Sequence, residues 1–265
     1  MRDWPVAYEE RDVSTSFGST HVVVTGKESA PPLVLFHGAA TTAAMWGAVI
    51  APLSDVYRCY CIDTITDANK SIATKRVRRA PEYVAWQRET LLGLGLENAS
   101  VAGLSYGGWL ASLLGVHSPE FVDRLVLMSP AATLSRIAIE WMARMVPATM
   151  LHSRVVAERA LQWAASRPDT ADIASALAVE RFLSCRASYQ LPPPSRLTDD
   201  ELRGINVPTT VLLGDREVIY GGGPQAALAR AQRLIPNVRA HLLPNAGHIL
   251  TADAPEIVVA EMTTR

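Results

Sequence analysis

One five-residue segment, Gly103-Leu104-Ser105-Tyr106-Gly107, constrains the fold of this chain more than any other. It follows a short, branched apolar run at 99–102, which predicts a buried strand, and precedes 108–114, whose apolar spacing predicts a helix. A serine at the vertex of a tight strand-to-helix turn has its hydroxyl pushed outward, and flanking glycines let the strand and the helix pass closely. The segment therefore predicts a nucleophile, Ser105.

Strand-like and helical segments alternate along most of the 265 residues. From residue 33 onward most of the strand-like runs are continuously apolar, as expected of parallel strands that are covered on both faces. The fold class that this predicts is α/β, with a mostly parallel central sheet and helices on both faces. Strands are predicted at 21–25, 33–36, 56–62, 99–102, 124–128, 209–213 and 239–243, and helices at 45–51, 81–92, 108–116, 224–234 and 255–262.

Residues 131–203 interrupt this alternation, because they carry helical patterns and no credible strand. We expect one α/β core built from residues 1–130 and 204–265, with 131–203 inserted as a helical cap. Trp141, Met142 and Met145 lie on one face of a predicted helix in that insertion. Two interpretations of this face stay open: packing onto the core, or a lid surface that lines a substrate pocket.

Composition and patterning argue against several classes of partner. The formal net charge is −1, which gives no support to nucleic-acid binding, and no apolar run is long enough to span a membrane. The first residues do not read as a secretion signal, and three cysteines do not make an even disulfide framework, so a cytoplasmic location is expected. We find no sequence pattern for a metal or an organic cofactor. The expected partner is a small-molecule substrate, and the oligomeric state stays open.

A serine nucleophile needs a base, and the base needs an acid that orients it. Among the six histidines, His248 follows the last predicted strand on a loop that can bring it to the serine. The acid is expected after the penultimate strand, where Asp215 and Glu217 compete. Glu217 is favoured because it lies two residues further from the strand end and has the longer side chain, and Asp215 is the alternative.

The oxyanion of an acyl-transfer intermediate needs backbone N–H donors. One is expected from Tyr106, directly after the nucleophile at the start of its helix, where the helix dipole favours negative charge. The other is expected from Ala39, on the loop that follows the strand at 33–36. His37 and Gly38 belong to this oxyanion loop, and His37 is interpreted as shaping it through hydrogen bonds to backbone.

With these residues in place, the chain resembles the α/β-hydrolase fold superfamily, in its lidded serine esterase or hydrolase form. The resemblance implies the order serine, acid, histidine along the chain, an acid three residues after Gly214, and a lid at 131–203. The chain departs from many members at 63–71, where it lacks their Gly-His-Gly-type turn. The motifs that carry the resemblance are His37-Gly38, Gly103–Gly107, Leu202–Pro208, Gly214–Glu217, Gly247-His248 and Ala254–Glu256.

The function that follows is hydrolysis of a small, fairly apolar carboxylic ester through an acyl-serine intermediate. The same pocket would also serve a biosynthetic enzyme that performs thioester hydrolysis, C–C cleavage or cyclisation, which is the alternative. A non-catalytic binding protein of the same fold is a further alternative. Serine at position 105 argues against halide- and epoxide-cleaving members, which would be expected to carry aspartate there.

Overall fold

The computed structural model describes residues 4–151, 153–165 and 191–264. Nine strands form one sheet within these residues, in the spatial order 1-2-4-3-6-7-8-9, with the fifth strand paired to the second. The strands are β1 (Tyr8–Thr15), β2 (Gly18–Thr25), β3 (Pro32–Phe36), β4 (Arg58–Ile62), β5 (Ile72–Ala73), β6 (Ala99–Leu104), β7 (Val122–Met128), β8 (Thr209–Gly214) and β9 (Val238–Leu243).

From β4 through β3 and β6 to β9, neighbouring strands are parallel, whereas β2 is antiparallel to both β1 and β4. The described helices connect these strands. They are α1 (Ile50–Val56), α2 (Ala80–Gly93), α3 (Tyr106–His117), α4 (Ile139–Met150), α5 (Arg154–Ala164), α6 (Asp199–Arg203), α7 (Gly223–Leu234), α8 (Leu250–Asp253) and α9 (Pro255–Thr263), with 3₁₀ turns at Ala43–Ala48 and Pro119–Phe121. The predicted mostly parallel α/β sheet is confirmed.

Two apolar clusters lie on opposite faces of the sheet, so the central strands are buried on both sides. One cluster contains an aromatic group in which Tyr83 and Trp86 of α2 meet Tyr106 and Trp109 of α3, with ring centroids 5.1–6.1 Å apart. Burying such a side chain contributes on the order of 1.5–3 kcal/mol. The first turn of α3, which begins directly after Ser105, is therefore anchored by packing.

Two elements differ from their predicted form. The helix predicted at 45–51 is a 3₁₀ turn, Ala43–Ala48, followed by α1, and the strand predicted from residue 56 begins at Arg58. The Thr42 hydroxyl accepts the N–H of Ala44 and starts the turn early. β1 was not predicted at all. It is an edge strand paired only with β2, and its mostly exposed, polar sequence carries no apolar alternation.

Helices α4, α5 and α6 lie between β7 and β8, inside the predicted cap at 131–203. Residues 152 and 166–190 of that cap lie outside the described residues. Arg230 of α7 joins the two ends of the segment to the core, because its guanidinium donates to the carbonyls of Thr133, Leu134 and Leu197 and to the carboxylate of Asp199. Within the described chain, no helix has the length and apolar character that crossing a membrane requires.

Candidate active site

Ser105 occupies a strained turn between β6 and α3. Its φ of 55° and ψ of −115° lie in a region that non-glycine residues rarely adopt. Neighbouring backbone holds this conformation: the Ser105 N–H donates to Met128, and the Ser105 carbonyl accepts from Trp109 and Ala131. The turn is thus fixed by the end of β7 on one side and by α3 on the other.

Glycine is required on both sides of this turn by close backbone approach. A Cβ on Gly103 would overlap the carbonyl of Gly107, where β6 passes α3. A Cβ on Gly107 would overlap the carbonyl of Phe36, at the end of β3. The glycines of the G-x-S-x-G pattern therefore let α3 start against β6 and against the loop after β3.

His248 and Glu217 form a buried pair, with 6% and 4% of their surfaces exposed. The imidazole Nδ1–H donates to Glu217 Oε2 at 2.9 Å and to Oε1 at 3.0 Å. This assignment leaves His248 Nε2 as the proton acceptor of the ring, since a neutral imidazole carries one proton.

The environment of Glu217 favours its charged form. Burial raises the pKa of this carboxyl, but interactions with His248, together with hydrogen bonds that include the Ile219 N–H, outweigh burial and hold the pKa below its ordinary value. Two backbone N–H groups, from Val218 and Ile219, also donate to Oε1, at 2.8 and 2.9 Å. A carboxylate held in this way keeps one orientation and one charge at neutral pH.

Asp215, the alternative acid, points elsewhere. It is exposed, and its N–H donates to Leu243, which continues the pairing of β8 with β9. Glu217 lies in the turn that begins at Gly214, in which the N–H of Arg216 donates to the carbonyl of Ala246, two residues before His248. Glu217, not Asp215, contacts His248.

The topology brings these groups to one edge of the sheet. Ser105, Glu217 and His248 follow β6, β8 and β9, which are parallel, so their carboxyl ends lie at the same edge. β7 lies between β6 and β8, and the residue that follows it is the buried Ser129.

The loop after β3 lies beside Ser105. A Cβ placed on Gly38 would lie 3.7 Å from the Cβ of Ser105, so Gly38 lies against the turn that carries Ser105. Buried His37 shapes this loop: its Nε2 accepts the N–H of Thr64 at 3.0 Å, and its Nδ1–H donates to the Gly38 carbonyl at 2.8 Å. On the other side of Ser105, Tyr106 supplies the first residue of α3.

The three side chains expected at a substrate pocket differ in their surroundings. The Trp141 ring lies edge-on to the His248 imidazole, with centroids 4.6 Å apart, and 6.0 Å from the Trp163 ring. Met145 is half-buried, and Met142 is 45% exposed. Trp141 thus borders the His248–Glu217 pair, whereas Met142 faces outward.

Sequence reasoning missed some residues that the structure brings to this edge. The carbonyl of Ala164, at the end of α5, accepts the backbone N–H of His248 at 3.1 Å. Asp67 accepts the N–H of Ala40 at 2.8 Å, behind the oxyanion loop. Nothing in the sequence indicates the role of Ala164, because the contact is made by its backbone carbonyl. Asp67 could have been found, because it lies in the 63–71 segment that departs from many members of the family.

Among the described residues, no group of three or more histidine, cysteine, aspartate or glutamate side chains is arranged to hold a metal ion.

Comparisons with known proteins agree with the fold. Residues 33–261 match the model of the alpha/beta hydrolase family. The chain is 34% identical to carboxylesterase YbfK of Bacillus subtilis (strain 168), over 96% of this chain and 86% of the relative. It superposes on naproxen esterase (carboxylesterase NP) from Bacillus subtilis with a TM-score of 0.91 and 32% identity, covering 98% and 92% of the two chains. The esterase RhEst1 from Rhodococcus sp. ECU1013 gives a TM-score of 0.79 at 25% identity, covering 97% of each chain. The chain therefore belongs to the alpha/beta hydrolase family, in which it is similar to esterases.

Proposed function

We propose that this chain is a serine carboxylesterase that acts on small, fairly apolar esters, with Ser105 as nucleophile, His248 as general base and Glu217 as the acid of the triad. The observation that carries the proposal is the buried hydrogen-bonded pair of His248 and Glu217, at the sheet edge that also holds the strained Ser105. The esterase names of its relatives support the same reaction class.

Acylation begins when Ser105 Oγ attacks the ester carbonyl carbon and forms a new C–O bond. His248 Nε2 takes the serine proton, while Nδ1–H stays bonded to Glu217, which stabilises the imidazolium that forms. The carbonyl π electrons move onto oxygen. The backbone N–H groups of Ala39 and Tyr106 then stabilise this oxyanion, assisted by the positive end of the α3 dipole.

Collapse of the tetrahedral intermediate breaks the bond to the leaving alkoxide. His248 returns its proton to that oxygen, so an alcohol leaves and an acyl-Ser105 ester remains. Water then gives a proton to His248 as it attacks the acyl carbon, and His248 passes that proton to Ser105 Oγ as the carboxylic acid is released. One ester and one water become one acid and one alcohol.

In this proposal residues 131–203 form a lid over the site, and Trp141 is part of the pocket wall. An indole beside the base favours an apolar acyl or alcohol group and excludes water from the reacting atoms. Thioester hydrolysis, C–C cleavage or cyclisation would use the same groups, so the bond type is decided by the substrate that the pocket accepts.

The test treats purified protein with a fluorophosphonate probe and locates the label by peptide mass spectrometry. Labelling at Ser105, abolished in Ser105→Ala, together with turnover of p-nitrophenyl esters, is the expected result. Folded protein that is not labelled would contradict the acyl-serine mechanism. Labelling combined with background rates across esters of increasing chain length would instead favour the biosynthetic alternative.

A further inference from the structure

The peptide that joins Gly38 to Ala39 is held from behind by three hydrogen bonds. The Gly38 carbonyl accepts the hydroxyl of Thr41 at 2.6 Å, the N–H of Thr41 at 3.3 Å, and Nδ1–H of His37 at 2.8 Å. Two of these three bonds come from Thr41, to which the sequence assigned no role. These donors therefore fix the orientation of the Gly38 carbonyl.

The direction of that carbonyl determines the direction of the Ala39 N–H. The two groups belong to the same planar trans peptide, in which C=O and N–H point in opposite directions. Thr41 pulls the carbonyl to one side of the loop, so the Ala39 N–H projects from the other. Ala39 N–H is the donor that the proposed mechanism places at the oxyanion.

Asp67 holds the next peptide along the loop. Its Oδ2 accepts the N–H of Ala40 at 2.8 Å, and its Oδ1 accepts the N–H of Ala68 at 2.7 Å. Ala40 has a φ of 57°, a left-handed conformation that alanine adopts only when its surroundings impose it. A bond to a buried carboxylate is strong enough to help impose it. The turn that follows Ala39 is thus held by a residue from the 63–71 segment.

We propose that Thr41 and Asp67 are positioning residues of the oxyanion hole, which together aim the Ala39 N–H at the carbonyl oxygen of the substrate. Thr41 acts through the Gly38 carbonyl and Asp67 through Ala40, and neither side chain touches the reacting atoms. This inference rests on the proposed serine-hydrolase function. It gives the unusual 63–71 segment a function, which is to hold the oxyanion loop.

A purely structural role predicts a different result from a positioning role. A donor aimed at a developing oxyanion stabilises the transition state more than bound substrate, so misaiming it lowers kcat with little change in KM. Loss of a merely structural hydrogen bond lowers the melting temperature and leaves the kinetics of the folded fraction unchanged. The two roles are therefore separable in variants that remain folded.

The experiment compares Thr41→Val, which keeps the shape and removes the hydroxyl, with Thr41→Ser, which restores it. Thr42→Val is the matched control, because its hydroxyl accepts the N–H of Ala44 in the same loop and contacts neither held peptide. Asp67→Asn leaves one acceptor oxygen for two N–H donors. For each protein, kcat and KM are measured with a p-nitrophenyl ester, along with the inhibition constant of an alkyl boronic acid, whose serine adduct mimics the tetrahedral intermediate.

Thr41→Val and Asp67→Asn are expected to lower kcat by about 10- to 100-fold, less than the 10²–10³ of losing a donor outright. KM should change much less. The inhibition constant of the boronic acid should rise by a factor similar to the fall in kcat. Thr41→Ser should recover most of the wild-type rate, and Thr42→Val should keep it despite a lower melting temperature.

Wild-type turnover combined with unchanged kcat in folded Thr41→Val and Asp67→Asn would overturn this inference alone. So would a Thr41→Ser variant as slow as Thr41→Val. Absence of Ser105-dependent turnover in the wild-type protein would instead overturn the proposed function, and this inference with it.

Discussion

The turn after β8 carries two carboxylates in opposite environments. Asp215 is exposed, whereas Glu217 is buried and bonded to His248 and to two backbone N–H groups. Sequence spacing favoured Glu217 without excluding Asp215, because both side chains follow the same strand. Only the path of the turn determines which of them faces the imidazole.

Glu217→Gln is expected to lower kcat/KM for an ester by about 10³–10⁴, because an amide no longer holds the correct imidazole tautomer or stabilises the imidazolium. For Asp215→Asn, the control on the same turn, kcat/KM should stay within about twofold of the wild-type value, because substitutions at exposed positions usually have small effects. Steady-state kinetics of both purified variants checks this. Collapse of the rate in Asp215→Asn alone would show that the acid is misassigned.

Trp141 packs against the ring of His248 and limits the positions that the imidazole can take. An aromatic contact of this kind contributes about 0.5–1.5 kcal/mol, so Trp141→Ala should lower kcat/KM by about two- to twelvefold. Trp141→Phe keeps a ring there and should lose less. Met142→Ala, on an exposed position of the same helix, is the control. Equal kcat/KM for Trp141→Ala and the wild-type protein would show that Trp141 does not contribute to the reaction.

Among the strands, β2 and the segment after β4 share a buried ion pair that lies outside the catalytic groups. His21 Nδ1 lies 2.9 Å from Asp63 Oδ2, and Asp63 Oδ1 accepts the N–H of Ala43 near the oxyanion loop. Glu10 and Lys70 also face this histidine. Burial alone lowers the pKa of His21, but the bond and charge of Asp63 outweigh it and raise it. Burial likewise raises the pKa of Asp63, and His21 with other partners lowers it overall.

The raised pKa means that protonated His21 stabilises the fold fully below about pH 6.5 and loses this effect as pH rises through the folded value. Asp63 loses its contribution only as pH falls below about 4. The free energy of unfolding lost in His21→Gln should therefore be larger at pH 5.5 than at pH 9, measured by urea denaturation. Exposed His117→Gln is the control, and a loss independent of pH would contradict the assignment.

On the scale of the complete fold, Arg230 joins the segment between β7 and β8 to the core. It is 7% exposed and is bonded to both ends of that segment. Arg230→Met should lower the free energy of unfolding by about 2–3 kcal/mol, because hydrogen bonds to a charged group are lost and buried carbonyls are left unpaired. Exposed Arg233→Met, on the same helix, should have little effect. Chemical denaturation of the two variants and the wild-type protein checks this. If Arg230→Met were as stable as the wild type, the buried carbonyls would have to find other donors.

Much of the architecture was predictable from short-range patterns. The continuous apolar runs of β3, β6 and β8 indicated parallel strands, because strands covered on both faces have no polar side. β1 was missed for the complementary reason: an exposed edge strand needs no apolar alternation to form, only a neighbour that offers hydrogen bonds. At Ala43–Ala48 the apolar spacing predicts an α-helix where the structure has a 3₁₀ turn, because the two helix types have similar spacing.

Sequence by itself determined the strand, turn and helix around Ser105, because the glycines and the apolar runs that build this turn lie within about a dozen residues. Tertiary structure alone decided which carboxylate meets His248, which indole lies against it, and which carboxylate holds the N–H of Ala40. Those contacts join groups tens of residues apart, such as Glu217 with His248 and Asp67 with Ala40. Their geometry depends on how loops from different strands pack at one sheet edge, and no local pattern encodes that packing.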